Sequence, residues 1–507
     1  MGSANITIKI FRAGVALLLM AFAALTVTGQ SATRTFSFPN RGGVSGTTTG
    51  DSPALRVGFA RFAQSINTPA GFALFGLKQG NALVSEVTVP ISNALSGGRI
   101  YAETGGGVDI GFALANENNE SIPIVWYFTD SNGVQVSSSV FTIPAHGQIS
   151  QFLSEAPFNI GAGFRGTFTF LTLIGRPDQT IGAIALRSFI NERGEFLMTS
   201  LPIIPLDAYP LVSSGTIPHF ASGGGWATQV ILVNPTDAEL GGRAAFFDQN
   251  GAPSIVDTES GSSASFDYKV APRSSWSLKT LSGGALKVGS VKLGPSAAGI
   301  VLPVGFLVFS FAPSGTTVVT AGVPPARPAN DSSIFVEAAG PLGEGQPGWI
   351  QTGIAISNVD STSVVRVLLD LSTLDGAPSG FRGTVDIPAG GQIARFLNQV
   401  PGFESLPLTF QGVLRVSAPV PVATIGLRAR YNERDEFLIT TLPVANENDE
   451  YFRLVAQYSS FVFPHFVDGA GYTTQFVLFS GWTPGPASGT LEFLTNTGAP
   501  LSLTLRP

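Results

Sequence analysis

The sequence predicts an all-β protein made of tandem antiparallel β-sandwich modules (immunoglobulin-like) of about 120 residues, with an N-terminal signal peptide. Three observations lead to this prediction. One segment recurs at four places, the segments between turns are short and alternate apolar with polar residues, and the composition disfavours long helices. The chain has 507 residues, including 60 glycines and 35 prolines. A chain of this length is too long to fold around a single hydrophobic core, so several domains are expected.

Residues 1–32 form the predicted secretory signal. Lys9 and Arg12 precede an uncharged apolar run over 13–27, which is too short to cross a bilayer comfortably. Cleavage after Gly29 or after Ala32 satisfies the small-residue rule, and an uncleaved membrane anchor is the alternative. We therefore expect a secreted, extracellular or cell-surface protein, or a periplasmic one, with no membrane span after signal cleavage. The chain has no cysteine, so its stability must come from packed cores and sheet hydrogen bonds.

An apolar segment, followed in each copy by a strand and a tight turn, marks the repeat. The turns end in glycine at Gly133, Gly251, Gly376 and Gly498. Asn-Gly and Asp-Gly pairs supply the positive φ angles that hairpin turns need. The spacing of the copies gives a unit of about 120 residues. The copies cover residues 108–116, 226–234, 349–358 and 472–479.

The second half of the unit recurs as well. A proline-led turn, at Pro144 and at Pro388, precedes a strand that begins with glycine, and a hairpin follows. Short alternating segments with frequent turns and no period of 3.6 residues indicate antiparallel sheets. Three complete β-sandwich units are therefore predicted, over residues 97–206, 212–326 and 332–446.

Each end of the chain contains only half a unit. Residues 33–95 carry a second half, and residues 459–507 carry a first half. A half-sandwich alone leaves an apolar face and open strand edges. Three explanations stay open: a truncated gene product, pairing of the two halves within one chain or between molecules, or folding of each half onto its neighbouring domain. A similar strand at both ends, over 35–39 and over 503–507, argues against the pairing.

The densest charge clusters lie in the same hairpin of the first and third complete units. An exposed, solvated hairpin tip explains them without a ligand. The functional alternative is calcium binding or a partner contact, because carboxylates and an amide oxygen lie within five residues. No other cofactor is expected. The candidate metal ligands are Asn191, Glu192 and Glu195 in one hairpin and Asn432, Glu433, Asp435 and Glu436 in the other.

No arrangement of residues predicts catalysis, so we expect no enzymatic activity. His219 and His465 occupy the same place in different units and do not converge on one metal, and His146 lies in a turn. Asp51 and Ser52 resemble part of an esterase nucleophile segment but have no supporting histidine. The formal net charge of −6 and the sparse Lys and Arg leave no basic face, so neither nucleic acid nor an anionic membrane is an expected partner.

Residues 463–475, with the sequence FPHFVDGAGYTTQ, and Val233-Asn234-Pro235 resemble repeats in uncharacterised exported proteins of soil bacteria. Those repeats are similar in length and turn chemistry to immunoglobulin-like and fibronectin-type modules. The resemblance covers nearly all of the chain after the signal. It implies a secreted or surface location and supplies no ligand residues.

Repeated units without a repeated polar constellation favour a structural or adhesive protein, acting as a multi-domain spacer or an interaction scaffold. Its partners would be other surface proteins, polysaccharide, or a second copy that associates through the half-units. A polysaccharide-binding protein is the first alternative, and it predicts a row of exposed aromatic rings on one sheet face. The accessory region of an exported hydrolase is the second, and it predicts a pocket where His, Asp or Glu side chains converge.

Overall fold

The all-β prediction is confirmed. In the computed structural model the regular structure of the described residues is β-strand, apart from one 3-10 turn at Leu397–Gln399, and the strands pair antiparallel. None of the described residues belongs to a helix that is long and apolar enough to span a membrane. Residues 1–30 of the predicted signal lie outside the described ranges. The structure describes residues 31–63, 67, 69–172, 179–206, 215–299, 301–340, 345–447, 461–481 and 485–506.

The strands form four β-sandwich modules, which we name the closure module, made from both ends of the chain, and modules 1, 2 and 3. The first segment contains β1 (Thr33–Phe38), β2 (Gly43–Thr48), β3 (Arg56–Ala63), β4 (Ala70–Gln79), β5 (Ala82–Pro90) and β6 (Ser92–Asn93). Module 1 contains β7 (Gly97–Glu103), β8 (Val108–Ala115), β9 (Ile122–Asp130), β10 (Gln135–Ile143), β11 (Gln148–Phe152), β12 (Arg165–Thr172), β13 (Gly182–Ile190), β14 (Phe196–Leu201) and β15 (Ile204–Pro205).

Module 2 contains β16 (Thr216–Ser222), β17 (Trp226–Val233), β18 (Leu240–Asp248), β19 (Val256–Thr258), β20 (Gly261–Ser263), β21 (Ser265–Val270), β22 (Ser275–Lys279), β23 (Lys287–Pro295), β24 (Val304–Phe311) and β25 (Val319–Val323). Module 3 contains β26 (Ala329–Ala339), β27 (Ile350–Asn358), β28 (Val365–Thr373), β29 (Pro378–Ile387), β30 (Gln392–Phe396), β31 (Phe410–Tyr431), β32 (Phe437–Leu442) and β33 (Ala445–Asn446). The last segment contains β34 (Phe461–Asp468), β35 (Tyr472–Phe479), β36 (Ala487–Thr495) and β37 (Leu505–Arg506).

Each module packs two antiparallel sheets face to face. In module 1 the strand orders are β10-β9-β12-β7-β15 and β11-β8-β13-β14, and module 2 repeats this arrangement with β21-β18-β23-β16 and β22-β17-β24-β25. In module 3 the long strand β31 runs through both sheets, so they are joined. Side chains that point inward from both sheets form the cores, as expected for aligned sandwiches.

The two half-units pair with each other within the chain. One sheet of the closure module has the order β1-β36-β3-β34-β6 and the other β37-β2-β35-β4-β5, so N-terminal and C-terminal strands alternate. The rings of Phe36, Phe463, Phe476 and Phe493 are all buried in this shared core. Of the three explanations for the half-units, the structure therefore shows pairing within one chain.

The similar segments 35–39 and 503–507 do not prevent this pairing, so the expectation drawn from their similarity is wrong. Instead β1 lies at the edge of one sheet, against β36, while β37 lies at the edge of the opposite sheet, against β2. Similar sequences thus occupy two different edges of the same sandwich.

The four modules surround a common centre. The strands β5, β14, β25 and β32, one from each module, contact one another in cyclic order. The backbone N–H of Met198 donates to the Ser85 hydroxyl at 2.9 Å, and the Thr441 hydroxyl donates to the Gly322 carbonyl. A Cβ on Gly322 would lie 2.1 Å from the carbonyl oxygen of Ser200, so only glycine fits there. The result is a closed ring of modules.

The predicted hairpin turns also join neighbouring modules. Asp130 Oδ1 accepts the backbone N–H groups of Asn132 and Val134, both at 2.9 Å, which forms the turn locally. Each turn glycine then contacts the proline-led turn of the next module: Gly133 meets Ala271 and Pro272, Gly251 meets Ala389, Gly376 meets Pro39 and Asn40, and Gly498 meets His146. One local sequence feature therefore builds the same contact four times around the ring.

Candidate functional site

The hairpins with the predicted metal ligands lie inside the ring. Asn191 and Glu195 are buried, and Asn432 is fully buried, so the expectation of an exposed tip is wrong for these three residues. Glu192 and Glu433 are exposed, and Glu436 is half-buried. Asp435 is also exposed, with a positive φ of 57° at the turn.

The two hairpin tips, one from module 1 and one from module 3, are joined by crossed ion pairs. Arg193 Nη1 lies 2.5 Å from Glu436 Oε1, and Arg434 Nη1 lies 2.6 Å from Glu195 Oε1. Burial acts to raise the pKa of Glu195, but hydrogen bonds from Arg434, Asn191 and Arg193 outweigh it and hold this pKa below the ordinary value. The carboxylates therefore stay ionised at neutral pH.

The same tips also bind the remaining two modules. Glu192 Oε2 accepts the backbone N–H of Thr317 in module 2 at 2.7 Å, and Glu433 Oε2 accepts that of Leu83 in the closure module at 2.8 Å. The Asn432 amide donates to the Leu83 carbonyl at 2.9 Å. These tips, which we call the central latch (residues 191–195 and 432–436), thus connect all four modules.

The four glutamates of the latch have partners within the chain. Glu195 and Glu436 are each engaged by two arginines, and Glu192 and Glu433 accept backbone N–H groups. Across the ranges given above, no three His, Asp or Glu side chains are grouped as metal ligands. The contacts that the structure shows for these hairpins join modules of the same chain.

Two equivalent grooves lie between modules, and they are the strongest candidate binding sites. Groove A, about 280 Å³, lies between the closure module and module 1, and groove B, about 240 Å³, lies between modules 2 and 3. Matching residues line them. The matched pairs are His465 and His219, Tyr472 and Trp226, Phe75 and Phe309, Phe152 and Phe396, Leu186 and Leu427, and Phe196 and Phe437.

The histidine in each groove has one defined hydrogen bond. Gln148 Nε2 lies 3.0 Å from His465 Nδ1, and Gln392 Nε2 lies 3.1 Å from His219 Nδ1. Gln148 Nε2 also donates to the Pro464 carbonyl at 2.6 Å, which fixes the orientation of its amide. Because an amide nitrogen only donates, Nδ1 of His465 accepts and the proton of this ring is on Nε2. Burial lowers the pKa of both histidines to about 4, so both rings are neutral at pH 7.

The charged residues of the grooves stand at their rims and differ in sign. Groove A has Glu155, whose Oε2 accepts the Phe152 N–H at 3.1 Å. At the matching place in groove B, Gln399 Oε1 accepts the Phe396 N–H at 3.0 Å. Groove B instead has the exposed Arg395 at its rim. The features shared by both grooves are therefore apolar walls, aromatic rings and a neutral imidazole.

The interface between modules 1 and 2 has a different lining. At this interface Tyr101 takes the position that His219 and His465 have in the grooves. Each of these three residues lies four residues before a glycine that forms an isolated β-bridge, namely Gly105, Gly223 and Gly469. The cavity at that interface, about 320 Å³, contains Glu103, Arg187 and Glu259 in place of the apolar wall. The apolar groove with a histidine is thus found between the closure module and module 1 and between modules 2 and 3, and not between modules 1 and 2.

Part of this site was visible in the sequence. The shared repeat position of His219 and His465, and that of Trp226 and Tyr472, marks the matched lining. What the sequence did not indicate is that these positions face another module, because Phe152 and Phe396 reach the grooves only through the ring arrangement.

Comparisons with known proteins add no family. No protein-family model and no curated protein matches the chain. A glycosyl hydrolase family 2 member from Bacteroides cellulosilyticus has a TM-score of 0.12 at 10% identity, over 53% of this chain and 37% of its own. A T13 IBDV viral particle protein has a TM-score of 0.11 at 8% identity, over 93% of this chain and 82% of its own. These likenesses are too weak to support a function.

Proposed function

We propose that the protein is an exported, non-catalytic interaction scaffold whose working unit is the closed ring of four modules. The single observation that carries the proposal is the alternation of N-terminal and C-terminal strands in the closure module. An extended spacer needs its ends far apart, whereas this pairing places both ends of the described chain in one sandwich. The scaffold therefore fits better than the spacer among the roles that the repeats suggest.

The two alternatives find less support in the described residues. Every aromatic ring in the described ranges is buried or half-buried, so the exposed row that polysaccharide binding would use is not among them. Each groove contains one histidine, and among the described residues its hydrogen-bond partner is a glutamine amide and not an acid or a base, whereas hydrolysis needs an acid and a base at one bond.

Export is tested by expressing the full chain in a Gram-negative host and sequencing the N-terminus of the product. We expect the mature protein outside the cytoplasm, cut after Gly29, because this cut keeps Ser31 and Ala32, whose backbone carbonyls accept bonds from Leu503 and Phe493. An intact N-terminus on protein that stays in the cytoplasm would contradict export.

A binding assay on insoluble polysaccharides tests the first alternative. Saturable retention of the mature protein on cellulose, chitin or xylan would favour polysaccharide binding over the scaffold.

A further inference from the structure

We infer that grooves A and B are two equivalent binding sites for a neutral, single-ring organic compound that carries one hydrogen-bond acceptor. The inference deepens the proposed scaffold role by naming a ligand class. It rests on the ring arrangement, since both grooves lie between modules, and it is independent of export.

Size and wall chemistry define the ring. Volumes of about 280 and 240 Å³ are just below the range of pockets that hold drug-sized ligands, so a single ring fits better than a longer molecule. In groove B, Trp226 stacks on Phe311 at 4.4 Å between centroids and meets Phe437 edge-on at 6.2 Å. Aromatic walls of this kind favour a ligand ring in a stacked or edge-to-face position.

The imidazoles define the acceptor. Because Nδ1 of His465 and of His219 is occupied by a glutamine amide, the ring nitrogen left on each histidine is Nε2, and at His465 it carries the proton. Within the described ranges neither Nε2 has a hydrogen-bond partner, and both rings line their grooves. A donor in an apolar pocket favours a ligand with one matching acceptor and rejects a ligand that leaves it unpaired.

The rims define the charge. A carboxylate on the ligand would be repelled by Glu155 at groove A and attracted by Arg395 at groove B, and a cation would show the reverse preference. Neither an anionic nor a cationic ligand would therefore be attracted by both grooves. A neutral ligand is the class that two grooves with opposite rims and a common interior share.

The groove walls lie on β-strands. His465 and Tyr472 lie on β34 and β35, and Phe152 lies on β11, so the groove is built from strands rather than loops. The matching strands of groove B are β16, β17 and β30. A preformed pocket loses little conformational entropy on binding.

Equilibrium dialysis with acetophenone, a neutral aryl ketone, tests the inference. We expect two molecules bound per chain at saturation. Ethylbenzene has the same ring without the acceptor, so it should bind at least tenfold more weakly than acetophenone. Benzoate has the ring with a negative charge, so it should bind at groove B only, with one molecule per chain. Binding of ethylbenzene as tight as that of acetophenone would overturn the assignment of the imidazole donor, and two molecules of benzoate bound as tightly as acetophenone would overturn the neutrality.

Groove-filling variants locate the sites. Ser150→Trp in groove A and Ala394→Trp in groove B should each halve the bound acetophenone, and the double variant should bind none. Val140→Trp, on the exposed face of β10 away from both grooves, is the matched control and should bind two. Binding by the double variant equal to the wild type would overturn the inference.

A measurement without variants covers the case in which a substitution prevents folding. In wild-type protein, acetophenone should shift the imidazole ¹⁵N resonances of both His219 and His465. Unchanged resonances at saturating probe would overturn the inference. The export and ring-closure results would stand in either case, so failure here is distinguishable from failure of the scaffold proposal.

Discussion

At the scale of single residues, the same buried side chains do the same work in successive modules. Asn116, Asn234 and Asn358 are fully buried. Each amide donates to two backbone carbonyls where one strand ends and the proline-led turn begins, and to a third in the loop that follows the asparagine. An amide has the two donors and the acceptor that such a junction needs. The recurrence of asparagine in the sequence thus has a local physical cause that the pattern alone did not reveal.

The two groove histidines predict a pH dependence of stability. Burial lowers the folded-state pKa of His219 and His465 to about 4 from an ordinary 6.5, so between these values the unfolded chain binds more protons than the folded one. Their contribution is therefore fully present above about pH 6.5 and is lost as the pH falls towards 4. At about 1.4 kcal/mol per pKa unit, the loss approaches roughly 3 kcal/mol per histidine.

The check is the thermal unfolding midpoint between pH 7.5 and 4 for wild type and for His219→Asn/His465→Asn, in which the Asn oxygen takes the place of Nδ1 as acceptor. The double variant should lose less stability across this range than wild type, and each single variant should lie between them. Parallel profiles for all four proteins would show that the histidines do not cause the dependence.

At the scale of elements, turns and strands were predicted well, and contacts between hairpins were not. The Asp-led turns at Asp130 and Asp248 form by local hydrogen bonds, so a few consecutive residues suffice to predict them. The central latch is different. Arg193 and Glu436 are separated by 243 residues, and only the closed ring brings them together, so the sequence suggested exposed tips.

The latch predicts an energetic coupling between distant hairpins. In a double-mutant cycle with Arg193→Gln and Glu436→Gln, we expect a coupling free energy of about 1 kcal/mol. The coupling is small because the Arg193 side chain is 36% exposed and solvent screens its charge. The coupling should fall in 1 M salt. Chemical denaturation of the four proteins measures it.

The pair Arg243 and Asp267 on module 2 is the matched control for this cycle. Its atoms lie 2.8 Å apart, but both side chains are well exposed and belong to neighbouring strands of one sheet. We expect no measurable coupling there. Equal couplings at both pairs, or none at the latch, would mean that the latch does not hold the hairpins together.

At the scale of the whole molecule, the account depends on closure of the ring by the chain ends. The repeat length and the two half-units were readable from the sequence, but the choice between truncation, neighbour packing and end pairing needed the register of β1 against β36, which places Thr35 opposite Thr490. Strands so far apart in sequence pair through tertiary contacts that no local pattern records. Closure also removes the open edges that would make each half prone to aggregation.

The most direct test is a disulfide between the two ends. The chain has no cysteine, so Thr35→Cys and Thr490→Cys create one defined pair at opposed positions of β1 and β36, within the distance that a disulfide spans. We predict that mild oxidation forms the bond within one monomer, with a faster-migrating band on non-reducing gels. The out-of-register control Thr35→Cys/Thr497→Cys should not form it. Disulfide-linked dimers, or equal oxidation of both pairs, would contradict closure of the ring within one chain.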